Sequence, residues 1–349
     1  MTSERESAPA NAAASAVAAA LPLRRGGPWT TLLHGSTRVL ALAAVFALFA
    51  LLVPEWRFLH LRNIENILVQ STVVATAAIG ATLVILAGGL DLSVGSTLAL
   101  SVVVVATTLR RLADGGSVAP MDALLAAGAG VVAGGCVGAV NGTLVAGLRV
   151  GPFIVTLGTM QMVRGLAKGV AGSSSVYAPE TWLNGLLESV RGHERGWMLI
   201  PPGVWLMVAL AIVAAALVRY TVLGRHLVAV GSSEETARLC GVRVRGVTLA
   251  VYVLAGLFAG VAGVLQYSYI GLGDPTTAVG LELYAIAAVV IGGGSLRGGE
   301  GSVFGTIAGA LIIGVLEAGG VQMGWPTWLQ EVMAGAIIVG AVAVDRWRR

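Results

Sequence analysis

The sequence has little charge and little cysteine, and both shortages exclude classes of protein. Of its 349 residues, 11% are charged and 56% are hydrophobic, whereas soluble domains carry about 25% charged residues. The composition is therefore typical of a protein that is surrounded by lipid and not by water. The two cysteines, Cys136 and Cys240, are predicted to be reduced, because one falls in an apolar run and the other in a loop predicted to face the cytoplasm. The net charge of +4 requires no nucleic-acid partner.

Several catalytic motifs are also missing. The chain has one lysine, Lys168, which lies in an apolar run, so the sequence contains no GxxxxGK[ST] phosphate loop. It contains no HExxH motif, and its histidines are scattered near the ends of apolar runs or in loops. We therefore expect the chain to be no enzyme and to bind no cofactor or metal of its own.

Long apolar runs dominate what remains. A helix that crosses a bilayer needs about 20 mostly apolar residues, and the sequence contains ten candidate runs, the one at 282–294 being short and the one at 152–170 including Arg164 and Lys168. The 49 glycines suit close contact between such helices. The predicted fold class is an all-α polytopic membrane protein with about ten transmembrane helices, at 37–54, 67–87, 93–109, 121–147, 152–170, 201–219, 247–268, 282–294, 302–321 and 327–344.

The two ends of the chain are predicted to lie in the cytoplasm. Residues 1–36 are Ala-rich, and their positive pair Arg24 and Arg25 follows the apolar stretch instead of preceding it as in a secretory signal. We expect a retained, disordered cytoplasmic tail; a short surface helix is the alternative. With that orientation the inner segments hold 13 arginines and the outer segments 6, as the positive-inside rule requires. The transmembrane domain then occupies residues 37–349.

The segment GGLDLSVGS, residues 88–96, interrupts two apolar runs and is predicted to lie at their inner ends. Its acid, Asp91, is the only charge between Glu65 and Arg110. In one interpretation Asp91 or Ser93 caps the following helix. In the other the break lines the substrate path or contacts a partner, because an acid at membrane depth is costly unless water or protein solvates it. The residues of interest are Gly88, Gly89, Asp91, Ser93 and Gly95.

Two polar loops stand out. The outer loop, 171–200, is long enough to be a docking surface for an extracellular partner, or a short amphipathic helix on the membrane. The inner loop, 220–246, contains Ser232 or Ser233 as an N-cap, acids in the first helical turn, and Gly241 as a C-terminal stop. It predicts a short cytoplasmic helix carrying both signs of charge; an amphipathic linker is the alternative.

The segment GGLDLSVGS resembles the signature of the membrane subunits of ribose/xylose-type sugar ABC importers, in the wider binding-protein-dependent permease family that includes branched-chain amino acid permeases. Three further stretches agree in order and spacing, so that the resemblance covers about residues 40–345. They are GAVNGTLVAGLRVGPFIVTLGTM (138–160), GRHLVAVGSSEETARLCGVRVRGVTLAVYVLAGLFAGVAGVL (224–265) and LYAIAAVVIGGGSLRGGEGSVFGTIAGALIIGVLE (283–317).

The resemblance implies a ten-span permease in the bacterial plasma membrane, paired with a second permease subunit, either a copy or a paralogue. An extracytoplasmic binding protein would deliver a monosaccharide or related polyol, and a separate cytoplasmic ATPase would use ATP and Mg. It implies that the ATPase contacts Glu234, Glu235, Arg238, Leu239 and Gly241. Polar residues in or beside the matching stretches, Asn141, Thr156 and Gln266, are candidates for the substrate pathway.

The sequence departs from the family at two places. Tyr284 stands where the family often has an aspartate, and Glu317 and Ala318 stand near its paired asparagines. These departures leave the sugar open. Competing functions are an ion-coupled secondary transporter complete in one chain, an ABC permease for branched-chain amino acids or nucleosides, and a scaffold without transport; few acids lie deep in the spans to couple ions.

Overall fold

The structure, a computed structural model, describes residues 28–113, 117–148, 150–189 and 200–347. The chain divides into two compact units, Met1–Thr37 and Arg38–Arg349, and the second holds the apolar helices. The described part of the chain consists of helices, the loops between them, and isolated bridge residues, among which Val176 pairs with Gly273. Its α-helices are α1 Pro28–Leu52, α2 Leu61–Leu86, α3 Val94–Leu112, α4 Pro120–Leu148, α5 Pro152–Ala171, α6 Pro202–Tyr220, α7 Val222–Ser232, α8 Glu234–Leu239, α9 Val244–Ile270, α10 Leu281–Ile291, α11 Val303–Gln322 and α12 Thr327–Trp347.

The all-α membrane fold is confirmed. A helix lies at each of the ten predicted runs, because a long apolar run satisfies its backbone polar groups within lipid only as a helix. Within the described residues, six helices are long and apolar enough to cross a membrane: α2, α3, α4, α6, α9 and α11. Two shorter apolar helices are Arg38–Leu52, within α1, and α10. The count of ten crossings therefore remains approximate.

Two boundaries differ from the sequence prediction. Helix α1 begins at Pro28, inside the predicted tail, since proline is well suited to a first helical turn; residues 1–27 lie outside the described part. The inner loop 220–246 contains α7 as well as the predicted short helix. The hydroxyl of Thr221 starts α7 by accepting a hydrogen bond from the Gly224 amide at 3.1 Å.

Helix α9 is the centre of the fold and packs against α2, α3 and α4. At its contact with α4 the two helix backbones touch, because glycines leave no side chain between them. A Cβ atom added to Gly138 would overlap the carbonyl oxygen of Tyr252, and one added to Gly134 would lie 2.8 Å from the Cα of Gly260. Small residues at such crossings let helices associate in lipid by van der Waals contact. The glycine content therefore fixes the position of the helices that carry the polar residues described below.

The outer loop is held to the helices by polar contacts. The indole nitrogen of Trp182 donates to the carbonyl oxygen of Pro120 at 3.0 Å, and the hydroxyl of Ser268 accepts from the Leu187 amide at 2.9 Å. Residues 172–189 contain a single 3-10 turn, Asn184–Leu186, and no α-helix. The alternative of an amphipathic helix is therefore wrong for this part of the loop, while 190–199 lie outside the described residues.

Candidate functional site

The signature segment, residues 88–96, is an irregular stretch enclosed by helices. The carbonyl oxygen of Leu90 accepts a hydrogen bond from the hydroxyl of Tyr252 at 3.1 Å. The hydroxyl of Thr156 lies 3.3 Å from the same oxygen, and its shorter bond, at 2.9 Å, goes to the carbonyl oxygen of Pro152. Gly88 adopts φ +78°, and a Cβ on Gly89 would lie 2.9 Å from the Tyr252 hydroxyl oxygen. The first glycine therefore turns the chain, and the second lets it pass close to α9.

Asp91 is 7% exposed and is held by Ser93, the residue before α3. One of its carboxylate oxygens accepts from the amide of Ser93 at 2.8 Å and from the hydroxyl of Ser93 at 2.6 Å. The side-chain amide of Asn141 in turn donates to the Ser93 hydroxyl at 2.7 Å. The capping interpretation is wrong for Ser93, the N-cap residue of α3, whose side chain accepts no bond from that helix. Asp91 instead fixes the turn that precedes α3.

The signature segment joins the end of α2, Leu86, to the start of α3, Val94. It begins beside α7, where a Cβ on Gly88 would lie 3.6 Å from the Cα of Gly231, and it continues along α9. Tyr252, which contacts Leu90, is about two turns inside α9. A Cβ on Gly263, further along α9, would lie 2.8 Å from the carbonyl oxygen of Leu98. Helix α3 therefore begins beside the middle of α9. Irregular backbone in a membrane protein is tolerated where it is buried in protein or lines a cavity, and here the Tyr252 hydroxyl donates to it.

A second polar group lies nearer the far end of α9. The side-chain amide of Gln266 donates to the hydroxyl of Thr277 at 3.0 Å. Nη1 of Arg164, on α5, donates to the carbonyl oxygens of Pro275 at 3.1 Å and Thr277 at 2.6 Å. These bonds hold the loop between α9 and α10 and explain how α5 accommodates an arginine in an apolar run. The loop is therefore fixed from two helices.

The second group meets the signature segment at Gly95. Glu282, in the first turn of α10, accepts from the amide of Gly280 through Oε1 at 3.2 Å. A Cβ at Gly95 would overlap Oε2 of Glu282 and lie 2.6 Å from the carbonyl oxygen of Ala278. Helices α3 and α10 thus begin side by side, and the partial positive charges of both N-termini face the same region.

The predicted pathway residues divide between the two groups. Asn141 and Thr156 lie with the signature segment, whereas Gln266 lies in the second group. The sequence did not predict that Arg164 holds the loop between α9 and α10 or that Glu282 lies beside Gly95. The charge of Arg164 inside an apolar run was the one sequence feature that could have indicated its role. Among the described residues, no three His, Cys, Asp or Glu side chains are placed to hold a metal ion.

Helix α8 is formed as the sequence predicted. The Ser233 hydroxyl accepts from the Thr236 amide at 3.2 Å, which makes Ser233, not Ser232, the N-cap. Gly241, at φ +83°, donates to the carbonyl oxygen of Arg238 at 3.0 Å and ends the helix. Ala237 is its one buried residue, while Leu239 is 83% exposed. The helix therefore presents two acids, an arginine and an apolar side chain to its surroundings.

Comparison with known proteins gives near full-length similarity to sugar permeases. The L-arabinose ABC transporter permease protein AraH of Azospirillum brasilense is 37% identical over 336 residues, covering 95% of this chain and 93% of that protein. The ribose import permease protein RbsC of Escherichia coli strain K12 is 38% identical over 307 residues, covering 88% and 92%. The D-allose transport system permease protein AlsC of the same strain is 38% identical over 307 residues, covering 87% and 89%. No solved structure matches the chain.

The family described as "Branched-chain amino acid transport system / permease component" matches residues 63–342. The matched range includes both polar groups and α8. Its extent, with relatives at this identity over most of the chain, shows the family. The chain therefore belongs to the permease components of the branched-chain amino acid transport system family.

Proposed function

We propose that this chain is the translocation subunit of an ATP-driven importer for a monosaccharide or related polyol. The observation that carries the proposal is the similarity, over 87–95% of the chain, to permeases named for L-arabinose, ribose and D-allose. The polar groups along α9 support it, because hydroxyl, amide and carboxylate side chains suit a neutral solute rich in hydroxyls. The family description names branched-chain amino acids, but these relatives, at 37–38% identity, are named for sugars, so the amino-acid alternative is not favoured.

The energy would come from a separate ATPase subunit that uses ATP and Mg. Helix α8 is the contact we propose, through the exposed residues Glu234, Glu235, Arg238 and Leu239, with Gly241 ending the helix. An isolated loop gains nothing from exposing an apolar side chain, whereas a docked helix buries it. We further propose a second permease subunit in the membrane and an extracytoplasmic binding protein that delivers the solute.

Purification of the tagged chain with the products of its neighbouring genes tests this assembly. We expect an ATPase subunit to copurify, and cells that express the complex to take up radiolabelled D-ribose, L-arabinose or D-allose but not L-leucine. Uptake of L-leucine without sugar uptake would contradict the substrate class. Absence of any ATPase, with transport intact, would contradict the energy source.

The orientation, with both termini and α8 in the cytoplasm of a bacterial cell, has its own test. In a background without Cys136 and Cys240, single cysteines at Ser174 and Ser232, both exposed, are treated with an impermeant thiol reagent on intact cells. We expect labelling at Ser174→Cys and none at Ser232→Cys until the membrane is opened. Equal or reversed labelling would contradict this orientation.

A further inference from the structure

Charged and polar side chains from three helices and one loop converge between the outer loop and the signature segment. They are Arg164 of α5, Gln266 of α9, Glu282 of α10, and Thr277 in the loop between α9 and α10. We propose that these four residues form a site that binds hydroxyl groups of the transported polyol before it passes the signature segment. This inference rests on the proposed function and names the side chains that recognise the substrate.

Glu282 provides an acceptor that the protein leaves unused. Its Oε1 accepts from the amide of Gly280, which fixes the carboxylate, but its Oε2 is buried and has no hydrogen-bond partner among the described residues. A buried polar atom without a partner is rare in native proteins and costly. A hydroxyl group of a ligand supplies the missing donor.

Arg164 provides the matching donors. Its two hydrogen bonds, to the carbonyl oxygens of Pro275 and Thr277, both come from Nη1. Within the described residues Nε and Nη2 have no bonded acceptor, and a guanidinium carries five N–H donors. Glu282 and Asp274 interact electrostatically with Arg164, so carboxylates offset the charge of the guanidinium. That balance disfavours an anionic ligand. A hydroxyl group both donates and accepts, so it matches the unused N–H donors of Arg164 and the unused Oε2 of Glu282.

The four residues of the site are partly exposed, although Oε2 of Glu282 itself is buried. Arg164, Gln266, Thr277 and Glu282 are each half-buried, and the neighbouring Val279 is 74% exposed. Gln266 lies about one turn from the end of α9, on the side of the loop that bridges to Val176, whereas Glu282 reaches Gly95 at the start of α3. A solute that enters from the outer side therefore meets these residues before it meets Asp91.

Selectivity among sugars that differ by one hydroxyl group tests the proposal, since a fault in folding would affect all of them equally. The variant is Glu282→Gln, which keeps the volume and an acceptor for Gly280. The matched control is Asp122→Asn, a half-buried acid in the first turn of α4, outside this site. Both are expressed with the ATPase and binding protein, and initial uptake is measured for the sugar that wild type transports and for each of its single-deoxy analogues.

We expect Glu282→Gln to lower the uptake efficiency of the parent sugar about tenfold more than that of one deoxy analogue, the one that lacks the hydroxyl group bound by Glu282. A factor of about ten corresponds to the loss of one hydrogen bond to a charged group. For each sugar, uptake by the variant is divided by uptake by wild type. The selectivity of the binding protein affects both equally and therefore cancels in this ratio. Asp122→Asn should leave that ratio unchanged.

An equal loss for all sugars at equal membrane abundance would overturn the proposal, as would unchanged selectivity. If Glu282→Gln lowers abundance, Arg164→Lys repeats the test, because lysine keeps the charge but loses the planar fork; unchanged selectivity there would also overturn the proposal. A wild-type complex that transports none of the sugars would fail at the first measurement and would refute the proposed function itself.

Discussion

Replacing Asp91 by alanine should destabilise the protein through the turn that precedes α3. The change removes the only acceptor of the Ser93 amide and hydroxyl at this position, in a place that is 7% exposed. Each group left unsatisfied in a buried site costs about 1–3 kcal/mol, so the expected loss in the free energy of unfolding is about 2–6 kcal/mol. Asp91→Asn retains an oxygen that accepts both bonds, and we expect it to lose less than about 2 kcal/mol.

The chain contains a matched control for this prediction. Asp274 makes the same two bonds with Thr276, to the amide at 2.8 Å and the hydroxyl at 2.7 Å, but at an exposed site. Water can satisfy both donors there, so Asp274→Ala should cost less than about 1 kcal/mol. Thermal melting of the purified protein in detergent and abundance in the membrane compare the three variants. Equal stability of Asp91→Ala and wild type would refute the reasoning. Normal abundance of Asp91→Asn with a severe loss of uptake would add a role for the charge in transport.

Two further predictions concern α8 and the contact between α4 and α9. Exchanging the exposed charges, Glu235→Arg with Arg238→Glu, should preserve membrane abundance but uncouple transport, because the partner would meet reversed charges; uptake equal to wild type would show that α8 is only a linker. Gly138→Ala should lower the melting temperature by the equivalent of about 1–3 kcal/mol, since the methyl group overlaps the carbonyl oxygen of Tyr252. Gly128→Ala, on the same helix with nothing within 4 Å, should be tolerated; equal effects of the two substitutions would contradict this account of the helix contact.

Local features were predictable from the sequence. The positions of the helices followed from apolar runs, and the ends of α8 followed from Ser233 and Gly241, whose hydrogen bonds join residues at most three apart. Such bonds depend on neighbours in the chain, so residue type and spacing identify them. Helix α7 was missed because its 11 residues are too few for a membrane run.

The site itself depends on contacts between distant parts of the chain. Arg164 is 111 residues from Pro275, and Tyr252 is 162 residues from Leu90. No local pattern predicts which carbonyl groups will meet a buried arginine or how deep an irregular segment will lie. For that reason the sequence identified GGLDLSVGS as unusual but gave no indication of Glu282 as its neighbour.

Transport by the reconstituted complex, with and without ATP, tests the central claim most directly. The chain is purified with its ATPase, inserted into liposomes, and supplied with the binding protein and radiolabelled D-ribose, L-arabinose or D-allose. We expect uptake of one of these sugars that requires ATP and the binding protein and continues when ionophores dissipate all ion gradients. Uptake driven by an ion gradient through this chain alone, without ATP, would contradict the account.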